Sequence, residues 1–336
     1  MKQPQTRKNW NAQAWAFVFS ALIISSLSFG QKVDFSKMES MKPRSIGPAG
    51  MSGRITSIDV VRSQPNVIYA GSASGGVWKS ESGGIAWDPI FDDNLALSIG
   101  AVAVSQKNPD VVWVGTGEGN PRNSLTGGYG VYRSLDAGKT WELMGLEKTR
   151  NVHRIIIHPD DPNTVFIGAI GSPWGDHEER GVYKTTNGGE NWEKILYVDQ
   201  MTGVGDMVMD PSNPDKILVN MWQHRREPWF FTSGGPSSGL YITVNGGKNW
   251  TKQTAKDNGL PEGDLGRMGL AFATNNPNRV YAIIESKKNA LYRSDNGGVN
   301  WTMINDKSDI GNRPFYYFDI YVDPKNENRV YSIFTN

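Results

Sequence analysis

A motif that recurs five times constrains the fold of this 336-residue chain more than any other feature. It reads Ser/Thr-x-Asp/Asn-x-Gly-x-x-Trp, with a serine at the third position of the first copy, and its tryptophans are 54, 51, 58 and 51 residues apart. The third residue and the tryptophan of the five copies are Ser82 and Trp87, Asp136 and Trp141, Asn187 and Trp192, Asn245 and Trp250, and Asn296 and Trp301. A fixed period of about fifty residues indicates a repeat architecture.

A second element keeps step with the motif: a Pro-Asn or Pro-Asp turn followed by a β-branched run. The turns begin at Pro65, Pro109, Pro162, Pro214 and Pro277, and a sixth copy at Glu327-Asn328 lacks the proline. Each full repeat predicts four short strands, which in the third repeat span residues 154–158, 164–168, 181–185 and 191–196. The pattern predicts an all-β propeller of four-stranded antiparallel blades, with five full blades and half of a sixth in this chain.

The motif has a structural explanation that needs no ligand. Its third residue can accept hydrogen bonds from N–H groups of its own turn, its glycine can adopt a positive φ, and its tryptophan can cover the apolar face of the blade. We therefore expect all five copies to hold hairpins rather than ligands, with Ser82 as the weakest acceptor.

The sequences at the two ends of the chain lead to separate predictions. Lys2, Arg7 and Lys8 precede an apolar run at 14–27 and the small residues Ser28 and Gly30, which is typical of a secretory signal peptide over residues 1–30. An uncleaved anchor is the alternative; after cleavage no membrane span is expected. Residues 31–50 form an N-terminal segment that could supply a closing strand, and residues 51–336 form the propeller. The sixth repeat stops before its outer half, so we expect a fragment of a longer secreted protein, located in the periplasm, at the cell surface or outside the cell.

Composition excludes several functions. The chain has 35 basic and 34 acidic residues, so it offers no basic face for nucleic acid. It has no cysteine, and its four histidines lack metal-ligand spacing, so no metal site is expected. Gly115, Gly117 and Gly119 are not followed by a predicted helix, and no cofactor is expected.

At the repeated motifs the chain resembles the Asp-box, or BNR-repeat, propellers. These include sialidases, xyloglucanase-type glycoside hydrolases, photosystem assembly factors and the sortilin N-terminal domain. The resemblance covers residues 44–336, and the stretches 43–48, 52–55, 115–118 and 178–182 look most like bacterial secreted proteins with sortilin-like repeats. The resemblance implies the fold; activity does not follow from a fold.

The catalytic residues of these enzymes match poorly. Xyloglucanase-type enzymes resemble the chain at residues 69–78, but they carry an aspartate before a Gly-Gly pair where this chain has Ala73. A two-carboxylate mechanism would lack one member there. Sialidases open with Arg-Ile-Pro, which Arg54-Ile55-Thr56 matches only in part. Neither known type of enzyme is expected.

Binding and catalysis collect on loops of a rigid scaffold. The longest loops, residues 117–129, 171–180 and 223–237, join the second and third strands of their blades and share one side of the predicted propeller, here called the long-loop face. They carry the candidate ligand-binding residues Arg122, Asn123, Trp174, Glu178, Arg226 and Trp229, and the candidate catalytic Glu118. Trp174, Trp229 and Phe230 either contact a sugar or peptide or fold back onto their loops.

Equivalent positions of the innermost strands lie eight residues before each turn, at Ser57, Ala101, Arg154, Asp206, Gly269 and Asp319. We expect Arg154, Asp206 and Asp319 to converge with the candidate ligand-binding residues Arg54 and Arg267 at the mouth of the central channel. The side chains either pair with one another or bind a sugar or a peptide end.

The leading hypothesis is a secreted module that binds a protein, peptide or polysaccharide without catalysis. The alternative is a glycoside hydrolase with carboxylates on the long-loop face, from the candidate catalytic residues Glu118, Asp206 and Asp319 or from Glu178 and Glu179. A purely structural module is the third possibility.

Overall fold

The computed structural model describes Asp34 and residues 54–333. The predicted signal peptide lies outside the described residues, and so does the predicted closing segment apart from Asp34. Everything that follows concerns the described part of the chain.

Six antiparallel sheets follow one another along the chain and are called blades 1 to 6. Blade 1 comprises β1 (Ile55–Val60), β2 (Ile68–Ser72), β3 (Val77–Ser80) and β4 (Asp88–Pro89). Blade 2 comprises β5 (Ile99–Val104), β6 (Val112–Thr116), β7 (Val131–Ser134) and β8 (Glu142–Leu143). Blade 3 comprises β9 (Val152–Ile157), β10 (Val165–Ala169), β11 (Gly181–Thr185) and β12 (Glu193–Leu196).

Blade 4 comprises β13 (Thr202–Asp210), β14 (Asn213–Arg226), β15 (Phe231–Ser233), β16 (Gly239–Thr243) and β17 (Thr251–Lys252). Blade 5 comprises β18 (Met268–Phe272), β19 (Val280–Ile284), β20 (Ala290–Ser294) and β21 (Thr302–Asn305), and blade 6 comprises β22 (Ile320–Asp323) and β23 (Asn326–Ser332). Between strands lie the short helix α1 (Ala255–Asn258) and the 3₁₀ turns Glu147–Thr149 and Ser308–Ile310.

Each four-stranded blade has its strands in chain order, as predicted, except that blade 4 carries β15 as an additional strand paired with β14. In blade 3 the inner strand begins two residues before the predicted start, at Val152, because that residue pairs with Ala169 across a β-bulge. The predicted equivalence of inner-strand positions is confirmed by register: Ser57 pairs with Gly71, and Asp206 with Asn220.

Apolar side chains between neighbouring sheets hold the blades together. The cluster between blades 2 and 3 contains Trp113 and Val131 from one sheet and Val152 and Ile167 from the next, all fully buried. Every residue of β6 and β10 is buried, as expected of strands that are covered on both faces. Burial of these apolar surfaces is the main source of stability.

The repeated motif closes the turn between the third and fourth strands. In blade 2, Gly138 N–H donates to Ser134 Oγ at 2.8 Å and Thr140 N–H donates to Asp136 Oδ1 at 2.8 Å. Ser82 accepts the equivalent bond from Ala86 N–H, also at 2.8 Å, so the first copy keeps the turn geometry despite its shorter side chain.

Three of the five motif tryptophans connect their blade to the preceding one. Trp141 Nε1 donates to the Ile90 carbonyl and Trp192 Nε1 to the Met144 carbonyl, each at 2.7 Å and each in the preceding blade. Trp301 Nε1 donates to Gln253 Oε1 at 2.7 Å in the same sense. Trp87 Nε1 instead donates to the Gly84 carbonyl of its own turn at 3.0 Å. In three of its five copies the motif thus links successive blades, which a purely local interpretation misses.

Candidate functional site

A cavity of about 1010 Å³ lies between the inner strands of the blades. Its lining includes residues of blades 1 to 6, among them Ser57, Asn120, His153, Arg154, Asp206 and Asp319. Because the wall carries both charges and apolar side chains, the cavity can hold a polar ligand or a set of internal ion pairs.

Arg154 joins two of the candidate carboxylates. Its Nε lies 2.6 Å from Asp206 Oδ1, and its Nη2 contacts Asp319 Oδ1. The Asp206 side chain is 6% exposed and that of Asp319 is 26% exposed, so Asp319 is the more accessible of the two. Burial raises the pKa of Asp319, but Arg154 and Arg267 outweigh it and hold that pKa below its usual range. Asp319 is therefore an ionised carboxylate beside a fixed cation.

Asp206 also connects two blades. Its Oδ2 accepts Leu270 N–H of β18 at 2.8 Å, and its Oδ1 accepts Met207 N–H at 2.8 Å. At the equivalent position of blade 1, Ser57 Oγ accepts Val102 N–H at 2.9 Å. The Asp206 carboxylate therefore has a structural role in joining blade 4 to blade 5, in addition to any chemical role.

Glu118 forms a separate ion pair with Arg54. Arg54 Nε donates to Glu118 Oε1 at 3.0 Å, and its Nη2 contacts Oε2, a two-pronged arrangement that raises the pKa of Arg54. Glu118 is only 1% exposed. Arg54 is thus paired with Glu118 and makes no ion pair with the group around Arg154.

Arg267 is 1% exposed and has no carboxylate partner within ion-pair distance in the described residues. Its Nη2 lies 3.0 Å from His153 Nε2, and its guanidinium lies over the Trp222 ring, 5.4 Å from the centroid. Burial lowers the pKa of His153 well below its usual range, with Arg154 and Arg267 adding to the effect. The imidazole is therefore neutral and accepts a hydrogen bond. Sequence patterns gave no signal for His153, because the four histidines lack metal-ligand spacing.

A segment before β22, residues 311–318, lies against the long-loop face. Arg267 Nη1 donates weakly to the carbonyls of Pro314 and Phe315, at 3.4 and 3.3 Å. Arg122 Nη1 donates to Tyr316 Oη at 3.1 Å. Sequence patterns contained no signal for this segment, because its partners come from other blades.

Of the remaining predicted residues, all but Arg226 lie on exposed loops; Arg226 is the half-buried last residue of β14. Trp229 and Trp174 are 79% and 38% exposed, and Asn123 and Glu178 are exposed as well. Glu178 Oε1 accepts from Gln200 Nε2 at 3.3 Å. Arg226 lies with its guanidinium over Phe231. These residues are not gathered around the cavity; they stay predictions for a ligand that crosses the face.

The described residues contain no group of three or more His, Cys, Asp or Glu side chains able to hold a metal ion. No described helix is long and apolar enough to cross a membrane.

Comparison with known proteins adds relatives of two kinds. A family model described as Sortilin, neurotensin receptor 3, matches residues 129–260. A xyloglucanase of Acetivibrio thermocellus is 21% identical over 296 residues, which are 80% of this chain and 34% of the relative. A xyloglucanase of a Paenibacillus species is 22% identical over 267 residues, 75% of this chain and 21% of the relative. The chain thus spans about a third or less of these relatives.

Solved structures show the same fold. An ancestral GH74 enzyme superposes with a TM-score of 0.60 at 22% identity, over 85% of this chain and 34% of that one. The structure titled YCF48 bound to D1 peptide superposes with a TM-score of 0.51 at 17% identity, over 83% of this chain and 75% of that one.

The prediction of a binding module without catalysis is contradicted by the xyloglucanase relatives, which favour the alternative, a glycoside hydrolase. That prediction gave decisive weight to Ala73. A carboxylate missing from one blade, however, can be supplied by another, since inner strands from all blades meet at one cavity. With its blades, its hairpin motifs and these relatives, the chain is an Asp-box (BNR-repeat) β-propeller with sortilin-type and xyloglucanase-type relatives.

Proposed function

We propose that the intact protein is a secreted glycoside hydrolase that cleaves a β-glucan backbone of the xyloglucan class, and that the substrate lies across the long-loop face. The observation that carries the proposal is the coverage of 80% of the chain by a xyloglucanase relative. The predicted signal peptide supports secretion.

Candidates for the chemistry are Asp206 and Asp319, which line the cavity, and Glu118, which pairs with Arg54. Glycosidases use one ionised carboxylate as base or nucleophile and one protonated carboxyl group as acid. Asp319 suits the first role, because it is ionised and 26% exposed to the cavity. Glu118 and Asp206 are less exposed, and their role is to hold the charges of Arg54 and Arg154 in place.

The acid requires a raised pKa. Asp59 lines the same cavity, and burial raises its pKa against the opposing hydrogen bonds from Val104 and Val60 N–H. Ala73, which stands where xyloglucanase-type enzymes carry an aspartate, is 2% exposed in the core. That position therefore takes no part in this proposal.

The test is release of reducing ends from xyloglucan by the intact protein. We expect Asp319→Asn to lower the rate by about 100-fold or more, the scale of acid–base groups. Asp323→Asn is the matched control: Asp323 is the last residue of β22, the strand that begins directly after Asp319, and it pairs with Arg329 at 3.2 Å. Folded protein that releases no reducing ends from any β-glucan would refute the proposal.

A further inference from the structure

Three of the five hairpin motifs contain an asparagine followed directly by a glycine. These pairs are Asn187-Gly188 in blade 3, Asn245-Gly246 in blade 4 and Asn296-Gly297 in blade 5. A fourth pair, Asn258-Gly259, lies outside the motif, at the last residue of α1. Because glycine has no Cβ, its main-chain nitrogen can approach the preceding asparagine side chain without a steric barrier. Such pairs are therefore open to deamidation, a spontaneous covalent change.

The only co-reactant that deamidation needs is water. The glycine nitrogen attacks Cγ of the asparagine, and the new N–Cγ bond closes a succinimide ring. The Cγ–Nδ2 bond breaks, and the NH2 group leaves as ammonia with the proton of the glycine N–H. Water then opens the ring at one of its two carbonyl carbons. One opening gives aspartate, and the other gives isoaspartate, in which the main chain runs through the former side chain.

The folded hairpin opposes ring closure at both reacting groups. Gly188 N–H donates to the Asn163 carbonyl at 2.9 Å, and this bond must break because a succinimide nitrogen carries no proton. Asn187 Oδ1 accepts from Thr185 Oγ1 at 2.8 Å and from Asn191 N–H at 3.1 Å, which fixes the side chain across the turn. The reaction therefore requires the hairpin to open first.

The same contacts recur in blades 4 and 5. Asn245 Oδ1 accepts two hydrogen bonds, at 2.9 and 3.0 Å, and Asn296 Oδ1 accepts two at 2.8 Å. The N–H groups of Gly246 and Gly297 donate to carbonyls in the Pro-Asp or Pro-Asn turn of their own blade, at 2.9 and 2.7 Å. One arrangement therefore protects all three pairs.

Blade 2 shows how an aspartate fits this turn. Asp136 stands at the same motif position, and its Oδ1 accepts from Ser134 Oγ at 2.7 Å and from Thr140 N–H at 2.8 Å. Both bonds use the oxygen that asparagine and aspartate share, so exchange of NH2 for oxygen preserves them. Isoaspartate adds an atom to the main chain and changes the four-residue spacing on which these bonds depend.

Asn258 provides a contrasting environment. Its Oδ1 accepts from Thr254 N–H at 2.9 Å, and its Nδ2 donates to the Val299 carbonyl at 2.9 Å. An aspartate at this position has no donor for the Val299 carbonyl and places a carboxylate oxygen against it. Conversion to aspartate therefore costs a hydrogen bond here, but not in the motif.

We propose that Asn187, Asn245 and Asn296 are deamidation sites that react when their hairpins open, and that the folded blades accommodate the aspartate product but not isoaspartate. The proposal assigns a covalent modification to the motif and is independent of the proposed hydrolase activity.

The experiment is incubation of the intact protein at mildly alkaline pH, with and without urea, followed by proteolysis and mass spectrometry. Deamidation raises the mass of a peptide by about 1 Da, and chromatography separates aspartate from isoaspartate peptides. We expect the three motif sites to react about 10-fold or more slowly in the folded protein than in urea. Equal rates under the two conditions would overturn the proposed protection.

Two variants test whether the product is accommodated. Asn187→Asp is expected to leave the thermal unfolding midpoint unchanged or raise it, because both bonds to Oδ1 remain. Asn258→Asp is the matched control and is expected to lower the midpoint by about 2 °C, the effect of one lost hydrogen bond. A midpoint lowered as much by Asn187→Asp as by Asn258→Asp would show that the motif does not accommodate aspartate and would overturn the inference.

Discussion

Replacing Trp192 by phenylalanine tests whether the motif tryptophans link blades. Trp192 Nε1–H donates to the Met144 carbonyl at 2.7 Å, and its ring packs edge-on against Trp113 with centroids 5.8 Å apart. Phenylalanine keeps an aromatic ring but removes the donor. Loss of the bond costs about 1 kcal/mol, and the carbonyl left without a partner adds about 1 kcal/mol, so we expect the free energy of unfolding to fall by about 2 kcal/mol beyond the cost of the smaller ring.

Trp250 supplies the matched control, because its Nε1 has no hydrogen-bond partner among the described residues. Trp250→Phe loses a similar ring area but removes an unsatisfied buried donor, so its cost should be about 1 kcal/mol or less. Urea unfolding followed by circular dichroism measures both, with equal m-values as the condition for comparison. If Trp250→Phe costs as much as Trp192→Phe, the hydrogen bond between blades does not carry the stabilisation and the reasoning is wrong.

Three further predictions concern stability. Ala137 has a φ of 60°, in the left-handed region, where the other motif copies have glycine. Ala137→Gly should therefore stabilise the folded protein by about 0.5 kcal/mol. A lower thermal unfolding midpoint would contradict this. Burial lowers the pKa of His153 and His224 well below 6.5. The unfolded state therefore binds more protons than the folded state below pH 6.5. Stability should be fully present above pH 6.5 and fall on acidification by up to about 1.4 kcal/mol per pH unit for each histidine. A urea midpoint that is unchanged from pH 7 to pH 5 would refute this prediction. Arg154→Met leaves Asp206 and Asp319 without their cation and should cost about 3 kcal/mol in urea unfolding, whereas a neutral effect would show that the pairs contribute nothing.

The function was the part of the sequence interpretation that failed. Ala73 occupies the place of a xyloglucanase-type aspartate, and residues 54–56 match the sialidase opening only in part; these two mismatches suggested a module without catalysis. Xyloglucanase relatives that span most of the chain contradict it. The error arose because mismatches in two short stretches were given more weight than the remaining carboxylates, although residues from all six described blades line the cavity.

Some site geometry could be predicted, because it follows from register alone. Counting back from the Pro-Asn turns placed Arg154, Asp206 and Asp319 at equivalent levels, and the structure brings them into contact. The pairing of Arg54 with Glu118 was not predictable, since a two-pronged contact depends on the angle between two neighbouring blades. The hydrogen bonds from Arg180 to the carbonyls of Ile170 and Ser172 were equally unpredictable, because residue types do not reveal a backbone partner.

The amino-acid sequence by itself determined the blades, their strand order and the hairpin turns. The reason is that the motif's hydrogen bonds join residues only four positions apart, as from Thr140 N–H to Asp136, so local spacing specifies them. Only the tertiary structure decided which charges meet, because Arg154 and Asp319 are 165 residues apart and come together only when inner strands surround one cavity. Contacts of that range depend on how blades pack against one another, and the energy of that packing is spread over many apolar side chains rather than encoded in any motif.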